Sequence, residues 1–205
     1  EIEGVKELHG VTYRPMKDRI EAGTFLFAAA ACGGEVEVVG VTPENIRLLL
    51  HKLRENGCKI HAKNDKINIE SRGRLKCNRR IETMPFPGFP TDLQAQATAL
   101  NASCTGCALV VENLFETRFK YVPELQKMGA DIEVKGRTAF VRGVGRLHGA
   151  SVTAGDLRGG AALVIAALGA EGISEVLDLS HIDRGYADFR NKLRKLGADI
   201  RRVHI

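Results

Sequence analysis

Lys192-Leu193-Arg194-Lys195-Leu196-Gly197-Ala198-Asp199-Ile200 is the third writing of one phrase. It follows Glu124-Leu125-Gln126-Lys127-Met128-Gly129-Ala130-Asp131-Ile132 and, earlier, Lys52-Leu53-Arg54-Glu55-Asn56-Gly57-Cys58-Lys59-Ile60. The glycines lie 72 and 68 residues apart, too far for a short-repeat solenoid and right for a complete supersecondary unit. Each copy predicts an amphipathic helix ending, a glycine in the left-handed conformation, then a strand. Upstream of each stands an Asp followed by an apolar, Ala-rich run. Asp18, Asp92 and Asp156 precede their glycines by 39, 37 and 41 residues. The chain is one folding unit in three versions, and function is to be sought where the versions differ.

The runs at 20–32, 93–103 and 157–168 are apolar nearly all round, so they predict three inner helices surrounded by protein. An Asp at each N-terminus can cap free amides and complement the helix dipole, about 1 kcal/mol apiece. Strands are predicted next, at 35–39, 108–112 and 174–179, followed by solvent-facing helices. The first of these helices opens on Thr42-Pro43-Glu44, a capping residue and then proline at the first helical position. Two strands close each unit, as at 58–62 and 66–71 around the turn Asn64-Asp65. The order β-α-β-α-β-β, with helices inside and sheets outside, makes an inside-out α/β barrel of three repeats, about 18–80, 81–150 and 151–205. Residues 1–17 fit poorly. They read as two short strands around Gly4 and Gly10 and a crossing linker at Arg14-Pro15, leading from an N-terminal domain absent from this chain.

With 205 residues, 44% of them hydrophobic, the chain can bury a large core. It holds no apolar stretch long enough to span a bilayer and opens on no secretion signal, so no membrane partner is expected. Thirty Lys and Arg against 25 Asp and Glu leave a net charge of +5. The basic residues are scattered, and three Tyr, eight Phe and no Trp make a thin stacking surface. A small anionic substrate is expected, and no nucleic acid. Five cysteines form no disulfide framework, which predicts a reducing, cytoplasmic setting. Cys104-Thr-Gly-Cys107 has no second ligand pair at metal-binding spacing, so neither a metal nor a cofactor is expected.

The second unit departs from the others at Met84-Pro-Phe-Pro-Gly-Phe-Pro-Thr-Asp92, where three of six prolines stand in six residues. By spacing, Asp92 reads as a helix N-cap after a proline turn. The functional reading is a carboxylate held to take a proton or grip a substrate hydroxyl. Arg118, Arg158 and Arg184 occupy unit junctions, and guanidinium groups converging on inner-helix N-termini would make an anion site.

Taken together, Asp18-Arg-Ile-Glu-Ala-Gly-Thr-Phe25, Pro87-Gly-Phe-Pro-Thr-Asp-Leu-Gln-Ala-Gln96, Phe115-Glu-Thr-Arg118, Val122-Pro-Glu-Leu125, Asp156-Leu-Arg158 and His181-Ile-Asp-Arg-Gly-Tyr186 carry a family likeness over essentially the whole chain. They resemble the enolpyruvyltransferases, in the branch that acts on UDP-N-acetylglucosamine in peptidoglycan precursor synthesis. That resemblance implies two inside-out domains of three units, of which this chain matches the C-terminal one. It implies that Asp92 contacts the sugar 3-hydroxyl and takes its proton, with Thr91 and a backbone contact at Leu114 on the same substrate. Arg118 and Arg158 would hold the carboxylate of phosphoenolpyruvate and Arg184 its phosphate. Glu116 would relay protons or orient Arg118. The family's other domain supplies a Lys-Asn pair, a Cys-bearing mobile loop and a further Arg; none is present here, so little turnover by this chain alone is expected. A 5-enolpyruvylshikimate-3-phosphate synthase-like transferase is the near alternative, and a non-catalytic anion- or nucleic-acid-binding module the distant one.

Overall fold

A computed structural model describes residues 1–203. The first unit comprises α1 (Arg19–Cys32), β1 (Gly34–Val39), a 3-10 turn at Pro43–Ile46, α2 (Arg47–Asn56), β2 (Lys59–Lys63) and β3 (Lys66–Ser71). The second comprises β4 (Arg80–Glu82), a 3-10 turn at Thr91–Leu93, α3 (Gln94–Ala102), β5 (Thr105–Val111), α4 (Val122–Lys127), β6 (Asp131–Lys135) and β7 (Thr138–Val144). The third comprises β8 (Ser151–Thr153), α5 (Leu157–Gly169), β9 (Glu175–Leu177), α6 (Ser180–Asp183) and α7 (Phe189–Lys195).

The repeated phrase folds as its residues require. Gly57, Gly129 and Gly197 have φ of +108°, +86° and +98°, left-handed in all three copies. Each ends its helix with the same pair of bonds: the glycine amide to the carbonyl three residues back, and the next amide to the carbonyl five back. Only glycine takes this conformation without a Cβ penalty.

Among the described residues only the second unit shows the whole β-α-β-α-β-β order, in a sheet ordered β4-β5-β7-β6 with β4 and β5 parallel. The first has the antiparallel sheet β1-β3-β2, and the third the parallel pair β8-β9. Two sequence expectations therefore need correcting. Residues 1–17 form no strands; every one is exposed, and no neighbour supplies the ladder bonds that would hold them extended. After Gly197 no strand appears among the described residues, because β9 has no antiparallel partner like β3 or β7 beside which one could align. The last two residues of the third repeat, 204–205, lie outside the described residues.

The inner helices α1, α3 and α5 pack against one another and are almost wholly buried. Leu26, Leu163 and Ile165 are fully enclosed, each stabilising by about 1.5–3 kcal/mol through burial. Alanines at 28–30, 95, 97, 99, 161 and 162 keep the helices close. The three run parallel: Ala30–Cys32, Leu100 and Leu168–Gly169, at their C-terminal ends, line one common cavity of about 600 Å³. Their N-termini therefore gather at the opposite end, where three partial positive charges add.

Candidate active site

Of the three equivalent aspartates, two cap. Asp18 Oδ1 accepts from the amides of Ile20 and Glu21, and Asp156 Oδ1 from those of Arg158 and Gly159. Asp92 does not cap. It is the second residue of the 3-10 turn Thr91–Leu93, two positions past Pro90, which holds the N-cap place its counterparts occupy, and no side chain caps that turn or α3. The turn closes tightly onto α1, where a Cβ on Gly23 would come 2.5 Å from Leu93 Cδ1, so a larger residue there would push the turn outward.

Freed from capping, the Asp92 carboxylate lies between two guanidinium groups. Arg118 Nη2 donates to Oδ1 at 2.7 Å and Arg158 Nη2 to Oδ2 at 3.0 Å. Arg118 arrives on the loop between β5 and α4, and Arg158 from the first turn of α5, so the cluster joins units two and three. Asp92 is 38% exposed and Arg158 only 16%, so the cluster is half-open to solvent with its cations seated behind. Both guanidiniums face aromatic rings, Arg118 over Phe115 at 4.9 Å and Arg158 over Tyr186 at 5.5 Å. Burial opposes the Arg158 charge, but the Tyr186 hydroxyl and the Asp92 carboxylate outweigh it and raise its pKa above the ordinary value.

Behind Arg158 a buried polar chain ties the three units together. Arg158 Nη1 donates to the Tyr186 hydroxyl at 3.1 Å, and that hydroxyl pairs with Thr24 Oγ1 of α1 at 2.9 Å. Gln96 Nε2 of α3 donates to the same Thr24 oxygen at 3.3 Å. One residue from each inner helix thus meets at the Tyr186 oxygen, which fixes Arg158 in relation to all three N-termini. Tyr186, Thr24 and Gln96 are functional neighbours that sequence reasoning missed. All three lie in the quoted motifs, but nothing in their order says that side chains from positions 24, 96 and 186 share one oxygen.

The remaining candidates divide. Thr91 Oγ1 donates to Glu112 at 2.8 Å, and the Leu114 amide donates to the same carboxylate at 2.9 Å. The Leu114 amide is thus engaged internally. Glu116 is not brought to the cluster: it is exposed and pairs with Arg137 at 3.2 Å, because the loop turns its side chain toward the end of β6–β7. Arg184 follows α6, exposed and with no ion pair among the described residues. Its neighbour Gly185 packs on Leu157, where a Cβ would stand 2.6 Å from Cδ2, so the Arg184 backbone lies against the start of α5. The 600 Å³ cavity at the other end of the helices touches none of these residues.

The chain is similar to known proteins in sequence and in fold. A family model described as EPSP synthase (3-phosphoshikimate 1-carboxyvinyltransferase) matches residues 1–193. A protein of Caldanaerobacter subterraneus named UDP-N-acetylglucosamine 1-carboxyvinyltransferase 2 is 50% identical over 202 residues, 98% of this chain and 48% of its own length. One of Clostridium botulinum named UDP-N-acetylglucosamine 1-carboxyvinyltransferase is 49% identical over the same share of each. The chain spans about half the length of the curated relatives it matches. Among solved structures, the enolpyruvyl transferase NikO from Streptomyces tendae superposes with a TM-score of 0.81 at 28% identity, over 91% of this chain and 44% of its own. EPSP synthase from Acinetobacter baumannii, at 18% identity and a TM-score of 0.69 over 93% of this chain and 45% of its own, shares the fold.

Proposed function

Because this chain belongs to the EPSP synthase (3-phosphoshikimate 1-carboxyvinyltransferase) family, we propose that it is one domain of a two-domain enzyme that moves the enolpyruvyl group of phosphoenolpyruvate onto the 3-hydroxyl of UDP-N-acetylglucosamine. Residues 18–205 form that domain, and residues 1–17 lead into it from the other. In this reading the reaction is the first committed step of peptidoglycan precursor synthesis, in the cytoplasm, and so bears on cell shape and division. The observation that carries it is Asp92 withdrawn from capping and held between Arg118 and Arg158.

The geometry supports a division of labour. Incoming phosphoenolpyruvate draws Arg118 and Arg158 to its carboxylate, with Arg184 beside the start of α5 for its phosphate. That competition loosens Asp92 from one or both guanidiniums and frees an oxygen for the sugar hydroxyl. The hydroxyl oxygen then bonds to C2 of phosphoenolpyruvate as its proton passes to Asp92, while the methylene carbon takes a proton from the other domain. Loss of that carbon's proton and departure of phosphate from C2 restore the double bond. Preorganised cations in a closed cleft stabilise the charge that builds on the tetrahedral intermediate.

The sugar nucleotide is preferred over shikimate 3-phosphate because the relatives near 50% identity bear the UDP-N-acetylglucosamine name, whereas the EPSP synthase structures stand at 18%. Titration calorimetry of the chain with each acceptor, in the presence of phosphoenolpyruvate, separates the two. Binding of the sugar nucleotide that weakens in Asp92→Ala is expected, and preferential binding of shikimate 3-phosphate would overturn the assignment. Turnover by the isolated chain should be negligible; a rate near the ordinary enzymatic range of about 1–10³ s⁻¹ would contradict the two-domain reading.

A further inference from the structure

Glu112 is a fully buried carboxylate with no cation on it among the described residues. Its charge is met instead by four neutral donors. Oε1 accepts from Thr83 Oγ1 at 2.8 Å and from the amides of Leu114 at 2.9 Å and Phe115 at 3.2 Å. Oε2 accepts from Thr91 Oγ1 at 2.8 Å. A carboxylate has about four lone-pair sites, so four donors match its capacity, three of them gathered on Oε1 and one on Oε2. The network extends one step further: Thr83 Oγ1 accepts from the Asn113 amide at 2.9 Å, and Asn113 Nδ2 donates to the Thr83 carbonyl at 3.1 Å.

The donors come from three separate places. Thr83 continues β4, Thr91 is the residue before Asp92, and Leu114-Phe115 open the loop that carries Arg118. We propose that Glu112 is a positioning residue that clamps the Asp92 turn to the Arg118 loop and so sets the 2.7 Å pair between them. The inference rests on the Asp92 cluster being the anion site proposed above. Without the clamp, the two segments are still joined through Thr83, which pairs with Asn113 and Val111 on one side and lies beside Phe89 on the other, but Thr91 and the Leu114 and Phe115 amides lose the acceptor they share. The hydrogen bonds rather than the charge carry the role. A glutamine could keep its oxygen on the three Oε1 donors and turn its amide to donate to the Thr91 hydroxyl, which can accept.

The test uses E112Q and E112A in the chain described here, with phosphoenolpyruvate as the titrant. The Nε–Hε resonance of Arg118, followed by ¹⁵N NMR, reports on the loop without any ligand. In the wild type and E112Q that resonance is expected at a dispersed position, with affinities within about threefold of each other. In E112A it should collapse toward the free-arginine position and affinity should fall about tenfold or more. A folded E112A with an unchanged resonance and unchanged affinity overturns the proposal. So does an E112Q as impaired as E112A, because charge rather than clamping would then be the cause. If E112A does not fold, Thr91→Val removes the single bond on Oε2; it should shift the Arg118 resonance and weaken phosphoenolpyruvate about threefold, and no change in either counts against the clamp. If the wild type binds no phosphoenolpyruvate, the functional reading fails while the Arg118 resonance still decides the clamp.

Discussion

Asp92→Asn keeps the shape of the side chain and removes one negative charge from a cluster of two cations. In the native cluster Asp92 is the competitor that any incoming anion must displace, since both of its oxygens are already taken by Arg118 and Arg158. The half-open setting calls for an effective dielectric of about 40, between the surface-pair value of ~20 and the ~80 of water. A substrate carboxylate sharing those guanidiniums would sit roughly 6 Å from the Asp92 charge, a repulsion of about 1.4 kcal/mol. Its removal should therefore tighten phosphoenolpyruvate binding about tenfold at low salt, and raising the ionic strength should shrink the gain. In the whole enzyme the same substitution should abolish turnover, because the group that takes the hydroxyl proton is gone. Titration calorimetry across a salt series measures the first effect and a phosphate-release assay the second. An Asp92→Asn variant that binds phosphoenolpyruvate no better than the wild type would refute the idea that Asp92 and substrate compete for the same arginines.

Other expectations follow from the fold. Gly197→Ala, with a φ of +98° and open space around its Cβ, should cost only the left-handed penalty of about 1–2 kcal/mol. Gly129→Ala should cost more, since its Cβ would also stand 2.8 Å from His148 Nε2; chemical denaturation of both variants checks the order. Leu26→Ala in α1, at a fully buried position, should destabilise by about 2–5 kcal/mol in the same assay, and a loss below about 1 kcal/mol would contradict an enclosed helical hub. Burial raises the Cys104 thiol to about 12 and the Cys77 thiol to about 11, the neighbouring cysteines adding to the shift, against 9.0 when unfolded. The unfolded chain therefore sheds these protons first. The stabilisation is complete below pH 9 and is lost as pH climbs toward 11–12. Denaturation midpoints at pH 8 and 10 should fall more for the wild type than for Cys104→Ala, by roughly 1 kcal/mol at the higher pH.

Much of the architecture was legible because it rests on local chemistry repeated three times. A glycine after an amphipathic helix takes positive φ wherever it stands, and Gly57, Gly129 and Gly197 all do. An Ala-rich run without a polar face has nowhere to go but inside, and α1, α3 and α5 are there. The misses are equally physical. The strands expected in residues 1–17 and after Gly197 needed neighbours to pair with, and a strand's existence is a property of two segments rather than one.

Within the site, the sequence alone determined that an acid and several arginines stand at equivalent junctions of a repeated unit, because spacing along a helix or turn is set by bond geometry. It could not decide which of three matched aspartates caps and which is released. That depended on Asp92 falling inside a 3-10 turn pressed against Gly23. Nor could it tell that Glu116 turns away to Arg137 while Glu112, silent in any pattern, accepts four hydrogen bonds at the centre. Those outcomes belong to the tertiary structure, since they turn on which donors from distant segments arrive within hydrogen-bond distance of one buried carboxylate, and a hydrogen bond weakens steeply outside that short range.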